Sequence, residues 1–226
     1  MVTQTIEVKE ITAKTILVPS KLPKCDYVIN PYTGCAFGCS YCYASFMGRF
    51  VGKEISEWGT YVYAKTNAPD LLKDELKKLK EKGKGKTILL SSVTDPFQGV
   101  EAKYKLSTRC LEVLAEYGFE GDVSLLTKSP LVLNVLPILK KLKSVDVGVT
   151  ITSTDDSISR YFEKFAPPAS SRLETLKKLN SAGIQTYAFF GPLLPHFVAN
   201  EEVIRKILDA IHKTGTRRLF IEHINL

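Results

Sequence analysis

Long apolar runs are missing from this chain of 226 residues. No stretch comes near the roughly 20 apolar residues that a membrane-spanning helix needs. The N-terminus, Met1 to Pro19, scatters Glu7, Lys9, Glu10 and Lys14 among isolated apolar residues, so it has no signal-peptide core either. With no membrane segment and no export signal, the expected compartment is the reducing cytoplasm, where exposed thiolates survive. Cysteine is scarce and odd in number, five in all, which does not suit the paired framework of a small secreted domain. Arginine is scarce too, with seven residues. Much of the net charge of +7 comes from lysines between Lys73 and Lys86 and at Lys140, Lys141 and Lys143, where leucine recurs at helical spacing. These read as solvated helix faces. Without an arginine-rich stripe or an interleaved aromatic and basic run, a nucleic-acid partner is left open but not favoured. The three histidines, His196, His212 and His223, show no ligand spacing, and His212 falls on an amphipathic helix.

Repeats, low-complexity segments and linkers are also absent, and 44% hydrophobic residues suffice to bury one full core. The division expected is a lead-in over 1–24 and a single core domain over 25–226.

What is present is concentrated in Asn30-Pro-Tyr-Thr-Gly-Cys-Ala-Phe-Gly-Cys-Ser-Tyr-Cys-Tyr43. Cys35, Cys39 and Cys42 stand at C-x3-C-x2-C spacing, with a glycine before each of the first two. Three cysteines at this spacing can hold three corners of a [4Fe–4S] cube and leave one iron open. A structural zinc site wants a fourth ligand, and Cys25 and Cys110 are poorly spaced to supply it. Zinc is strained on this reading but not removed by it.

Secondary-structure signals follow in order. Residues 1–24 read as irregular, with an edge strand near Ile16–Val18. Tyr27–Tyr32 reads as a strand whose C-terminal end releases the cysteine loop, residues 40–49 as a helix and Trp58–Lys65 as a strand. Pro69, Asp70 and Gly83 bracket a helix. Strands are then expected at 86–95, 123–128, 145–153, 184–191 and 218–224. Helices are expected at 106–117, 134–143, from a Ser171-x-x-Glu174 capping box to Gly183, and from Asn200 to Gly215. Apolar strands alternating with amphipathic helices mark right-handed βαβ units around a parallel sheet. Six core strands are too few for a closed eight-stranded barrel.

The pattern of Cys35, Cys39, Tyr41 and Cys42 resembles the signature of the radical S-adenosylmethionine (SAM) superfamily. The flanking Asn30-Pro-Tyr-Thr-Gly-Cys and Tyr41-Cys-Tyr-Ala44 resemble its spore photoproduct lyase-like branch. The resemblance implies an α/β fold, a partial (β/α)6 TIM-like barrel open on one side. It also implies a [4Fe–4S] cluster on Cys35, Cys39 and Cys42, with SAM on the open iron as second cofactor. Reductive cleavage of SAM to methionine and a 5′-deoxyadenosyl radical would follow, fed by an electron donor of flavodoxin or ferredoxin type.

Sites in parallel α/β barrels lie at the C-terminal strand ends. Here that rim carries Thr94-Asp95, Lys128-Ser129, Thr152-Ser153, Pro192 to His196 and Asn225. The resemblance sets Thr94 and Asp95 against the SAM amino group, although Asp95 before Pro96 also makes an ordinary turn. It sets Lys128 on the SAM carboxylate, Thr152 or Ser153 as a hydroxyl there, and Tyr41 near the adenine. Arg172 either reaches the methionine end or sits in the first turn of its helix.

Two departures bear on function. Spore photoproduct lyases carry a hydrogen-donating cysteine where this chain has Ser91-Ser92-Val93-Thr94, and Cys110 reads as a buried small hydrophobe. The chain closes on Ile224-Asn225-Leu226 without the further helix and substrate-enclosing segment of such relatives. The open side is therefore expected to be covered by a partner chain or large substrate, or the form to be minimal or truncated. The function expected is a radical SAM enzyme acting on an unnamed substrate. The alternatives are lesion repair of the spore photoproduct lyase kind and a non-catalytic iron–sulfur or zinc protein.

Overall fold

A computed structural model of the chain describes residues 6–194 and 200–224. Six parallel strands form its centre: β3 (Tyr27–Ile29), β6 (Thr87–Leu90), β7 (Asp122–Thr127), β8 (Val145–Thr150), β9 (Gln185–Leu193) and β10 (Leu219–His223). A seventh, β2 (Leu17–Pro19), pairs antiparallel with β3 and completes the order β10-β9-β8-β7-β6-β3-β2. The two edge strands do not pair, so this is the half-closed α/β barrel expected, open on one side.

Alternate residues of the strands point outward onto helices. Ile88, Leu90, Val123, Leu125, Val147 and Val149 pack against α1 (Ala68–Leu76), α3 (Leu106–Tyr117) and α6 (Ala169–Ser181) in one buried cluster that includes Leu72, Leu111, Leu114, Leu176 and Leu179. At about 1.5–3 kcal/mol for each large apolar side chain, this outer layer dominates the stability of the fold. The helix α7 (Glu201–Lys213) adds Ile207 and Ile211 to it, and the Asn200 side chain caps that helix by accepting from Glu202 N, as the sequence indicated.

Several expectations are corrected. Residues 1–24 are not irregular throughout: β1 (Glu7–Ile11) pairs parallel with β5 (Tyr61–Lys65), and β4 (Tyr32–Thr33) closes a small second sheet on the other side of β5. The strand read over 27–32 is thus two strands in two sheets. Asn30-Pro31 separates them because proline has no N–H for the ladder. The capping box at Ser171 does not form. α6 begins at Ala169 behind Pro167-Pro168, whose fixed φ suits a helix start, and Ser170 bonds Asp156 instead. The helix read over 134–143 is a 3-10 segment, Pro130–Val135, followed by the single turn α4 (Leu136–Leu139), because Pro137 withholds a donor within it. The segment after the cysteines, Tyr43–Val51, is also 3-10. Two short helices were not anticipated, α2 (Glu101–Tyr104) and α5 (Asp156–Phe162). No described helix is long and apolar enough to cross a membrane.

Candidate functional site

The cysteine loop leaves β4 and turns on two left-handed glycines, Gly34 (φ +88°) and Gly38 (φ +55°). A side chain at Gly34 would collide with the Tyr61 backbone oxygen and ring, and one at Gly38 would press the Gly59 Cα at 3.2 Å. The loop is pinned from several elements. Ala36 N donates to Gln98 Oε1 (2.7 Å), while Gln98 Nε2 (3.3 Å) and Thr94 Oγ1 (2.6 Å) both donate to Gly34 O. On the far side Ser40 N donates to Phe162 O (2.8 Å) and Phe165 N to Phe37 O (3.3 Å).

Within this frame Cys35 and Cys39 are buried and Cys42 half-buried, in one cluster with Phe37, Ala166, Tyr41 and Trp58. Burial raises all three thiols, Cys39 to about 12 against the pull of Lys128. For Cys42 the pulls against burial are the Ala44 N–H, Lys128 and the Trp58 side chain. Cys35 and Cys39 share that cluster and Cys42 packs against it, so the thiols are neighbours and raise one another's pKa. All five cysteines are free; Cys110 is fully buried in the outer core and Cys25 donates to Tyr27 O.

No three Cys, His, Asp or Glu side chains among the described residues converge tightly enough to hold a single ion. Three neighbouring thiols in an apolar, glycine-turned pocket suit a cube that takes one sulfur per corner better than a closed four-ligand zinc site. A cluster ligated here would need the thiolates, and bound iron would supply the charge that burial withholds.

Next to the thiols lies a buried polar centre. Glu163, fully buried just beyond α5, is 2.5 Å from Arg172 Nη2 and 3.8 Å from Lys128 Nζ. It also accepts from the Tyr41 hydroxyl, Thr152 Oγ1 (3.2 Å) and Ser159 Oγ (3.2 Å). Burial alone would raise its pKa, but Lys128 and Arg172 outweigh that and hold the carboxyl below its ordinary value. Burial likewise works against the Lys128 charge, yet Cys39 and Glu163 hold its pKa above ordinary. The Lys128 ammonium thus lies 3.8 Å from a buried carboxylate and 5.9 Å from the Tyr41 ring centre.

The structure brings Tyr41, Lys128 and Thr152 together on Glu163. Asp95 adjoins them but has other partners: it accepts from Thr127 Oγ1 (2.7 Å), Lys128 N (2.8 Å) and Phe97 N (2.9 Å), tying the loop after β6 to the end of β7. Burial raises its pKa despite those donors. Thr94 holds the cysteine loop, and Ser153 Oγ accepts from the Asp155 N–H (3.0 Å) in a turn. Arg172 does sit in the first turn of α6, where it is fully buried against Glu163. His196 and Asn225 lie outside the described residues.

Sequence reasoning missed Glu163, Gln98 and Trp58. Glu163 reads as one more charge in Phe-Glu-Lys-Phe, and only the apolar residues and prolines around it hint at burial. Gln98 was within reach, since it sits in the Thr94–Glu101 stretch already singled out.

A half-closed barrel of parallel strands with a three-cysteine loop at its rim defines a recognisable class, and comparison with known proteins agrees. The family model of the radical SAM superfamily matches residues 29–211. An uncharacterized protein of Methanocaldococcus jannaschii is 36% identical over 221 residues, which cover 98% of this chain and 79% of that protein. An uncharacterized protein of Mycobacterium tuberculosis is 27% identical over 88% of this chain and 59% of its own length. Spore photoproduct lyase complexed with dinucleoside spore photoproduct shares the fold at a TM-score of 0.71 and 17% identity, covering 96% of this chain and 62% of that one. SuiB of Streptococcus suis bound to S-adenosylmethionine aligns at a TM-score of 0.56 and 14% identity, over 88% of this chain and 40% of SuiB. The chain belongs to the radical SAM superfamily. It spans about three fifths of the mycobacterial relative and of spore photoproduct lyase.

Proposed function

We propose that this chain is the core of a radical SAM enzyme in which Cys35, Cys39 and Cys42 hold a [4Fe–4S] cluster and the Glu163-centred rim receives the methionine end of SAM. When bound, such a cluster would supply the electron for reductive cleavage of SAM, and hydrogen abstraction from the substrate is the chemistry this would support. The observation that carries the reading is Lys128, a half-buried cation 3.8 Å from Glu163 and 5.9 Å from the ring centre of Tyr41, the residue before Cys42. A lysine so placed offers a point charge to an incoming carboxylate beside the thiols. Arg172 keeps Glu163 neutralised while Lys128 is engaged elsewhere, Thr152 offers a hydroxyl from the same spot, and Tyr41 walls the pocket with its ring. Asp95, Thr94 and Gln98 hold the loops that shape the pocket, with Ser153 in the adjoining turn.

The test is anaerobic reconstitution with iron and sulfide. A brown protein whose EPR signal changes on adding SAM, and which releases 5′-deoxyadenosine once reduced, is the expected result. Cys25→Ala and Cys110→Ala should keep the colour, whereas Ala at Cys35, Cys39 or Cys42 should abolish it. An EPR signal indifferent to SAM would move the chain to the non-catalytic iron–sulfur or zinc reading.

One observation favours a second reading, repair of a thymine lesion. The Tyr43 hydroxyl donates to Ser92 O, so a phenol stands beside the stretch where spore photoproduct lyases are expected to carry their hydrogen-donating thiol. Incubating reduced protein with SAM and dinucleotide spore photoproduct decides it. Multiple-turnover thymine release would support repair, and 5′-deoxyadenosine without thymine would leave the substrate elsewhere.

A further inference from the structure

The cysteine pocket contains a hydrogen-bond donor that the proposed reading leaves without a task. Trp58 precedes β5 and is the single tryptophan of the chain. Its ring packs on the Cys35–Cys42 cluster of side chains and meets Tyr61 edge-on with centroids 6.2 Å apart. The backbone that carries it is clamped to the same loop, since Gly59 lies directly against Gly38. The indole Nε1–H is nevertheless buried and meets no acceptor at full hydrogen-bond geometry. A buried donor left so costs about 1–3 kcal/mol, which a purely packing residue such as phenylalanine would avoid. Cys42 packs against the same cluster of side chains as the Trp58 ring, and the indole pulls the Cys42 thiol pKa down against its burial.

We infer that Trp58 is a positioning and tuning residue for the iron–sulfur cluster: its indole N–H hydrogen-bonds the Cys42 sulfur once that sulfur is a metal-bound thiolate. The inference rests on the proposed assignment of the three cysteines. A thiolate is a far better acceptor than a thiol, so the bond completes when iron is loaded and the orphaned donor is satisfied. Hydrogen bonds to ligand sulfurs are among the features that set cluster potentials. A donor there stabilises the added electron and raises the potential, which makes the cluster easier for a donor protein to reduce.

The experiment uses the reconstituted full chain. Because Trp58 stands alone, growth on tryptophan labelled with 15N in the indole ring places one label in the protein. Pulsed EPR of the reduced cluster should show coupling to that nitrogen, and its absence would overturn the inference. Trp58→Phe keeps an aromatic wall without the donor. It should bind the same iron but be reduced to a roughly tenfold smaller ratio at a fixed solution potential, a downward shift of about 59 mV for a one-electron couple. An unchanged midpoint would make Trp58 a wall only. If Trp58→Phe fails to hold iron, the labelled wild-type spectrum alone decides. If the wild-type chain itself assembles no cluster, the assignment of the cysteines falls first, and that outcome is distinct from a cluster without a coupled nitrogen.

Discussion

Around Glu101 every partner is neutral: the Tyr32 hydroxyl, the Ser107 and Thr108 N–H groups and the Thr108 hydroxyl all donate to it. Around Glu163 stand two cations, Arg172 at 2.5 Å and Lys128 at 3.8 Å, together with three hydroxyls. Both carboxylates are buried, yet burial wins at Glu101 and raises its pKa, whereas the cations win at Glu163 and lower it. The first is a joint between β4, α2 and the start of α3. The second is a charge centre in which one cation, Arg172, is sealed and the other, Lys128, keeps a sixth of its side-chain surface open. Hydrogen bonding alone suffices to fasten elements, but the rim proposed to receive SAM would need a cation whose present partner can be shared or exchanged.

The largest expected effect breaks the charge centre. Glu163→Ala leaves Arg172 buried without its carboxylate, and removing one partner of a buried pair costs about 3–5 kcal/mol. Urea unfolding of the metal-free protein should show it, and a loss below about 1 kcal/mol would mean that water reaches the pair.

Lys128→Ala tests exchange rather than stability. Arg172 still pairs Glu163, so the fold and iron content should survive, while SAM affinity falls well over tenfold, in line with about 2–5 kcal/mol for a buried charge partner. Equal affinity in calorimetric titrations of the two reconstituted proteins would remove Lys128 from the site.

The smallest effect sharpens the contrast. Glu101→Gln keeps one acceptor oxygen and should cost about 1–3 kcal/mol at neutral pH. Its pH dependence should also oppose that of Glu163. A carboxyl raised in the folded state, as Glu101 is, contributes fully below its unfolded pKa of about 4.3 and loses that contribution as pH rises through the folded value. The lowered Glu163 contributes above about 4.3 and loses it only as pH falls through its folded value. Acidifying from pH 7 toward 4.5 should therefore stabilise wild type relative to Glu101→Gln, while the gap between wild type and Glu163→Gln stays level. Parallel trends in denaturant titrations across that range would show that the two surroundings do not differ as described.

The order of the central strands and helices and the cysteine loop were legible in the sequence because each depends on local chemistry, while the half-closed barrel was implied by the family resemblance of the cysteine motif. Period-two and helical apolar spacing specify which face is buried, glycines at 34 and 38 permit the turn, and three thiols eight residues from first to last share one loop whatever the rest does. The boundaries misread, at Asn30-Pro31, Pro137 and Pro167-Pro168, are places where one proline's missing donor or fixed φ outweighed the periodicity around it. What the tertiary structure alone decided is the company each site residue keeps. Tyr41 and Glu163 are 122 positions apart and Ala36 and Gln98 are 62 apart, and no local spacing encodes such meetings. They follow from parallel strands delivering their C-terminal ends to one rim, where a charge that looks solvated in sequence is buried and must find its partner.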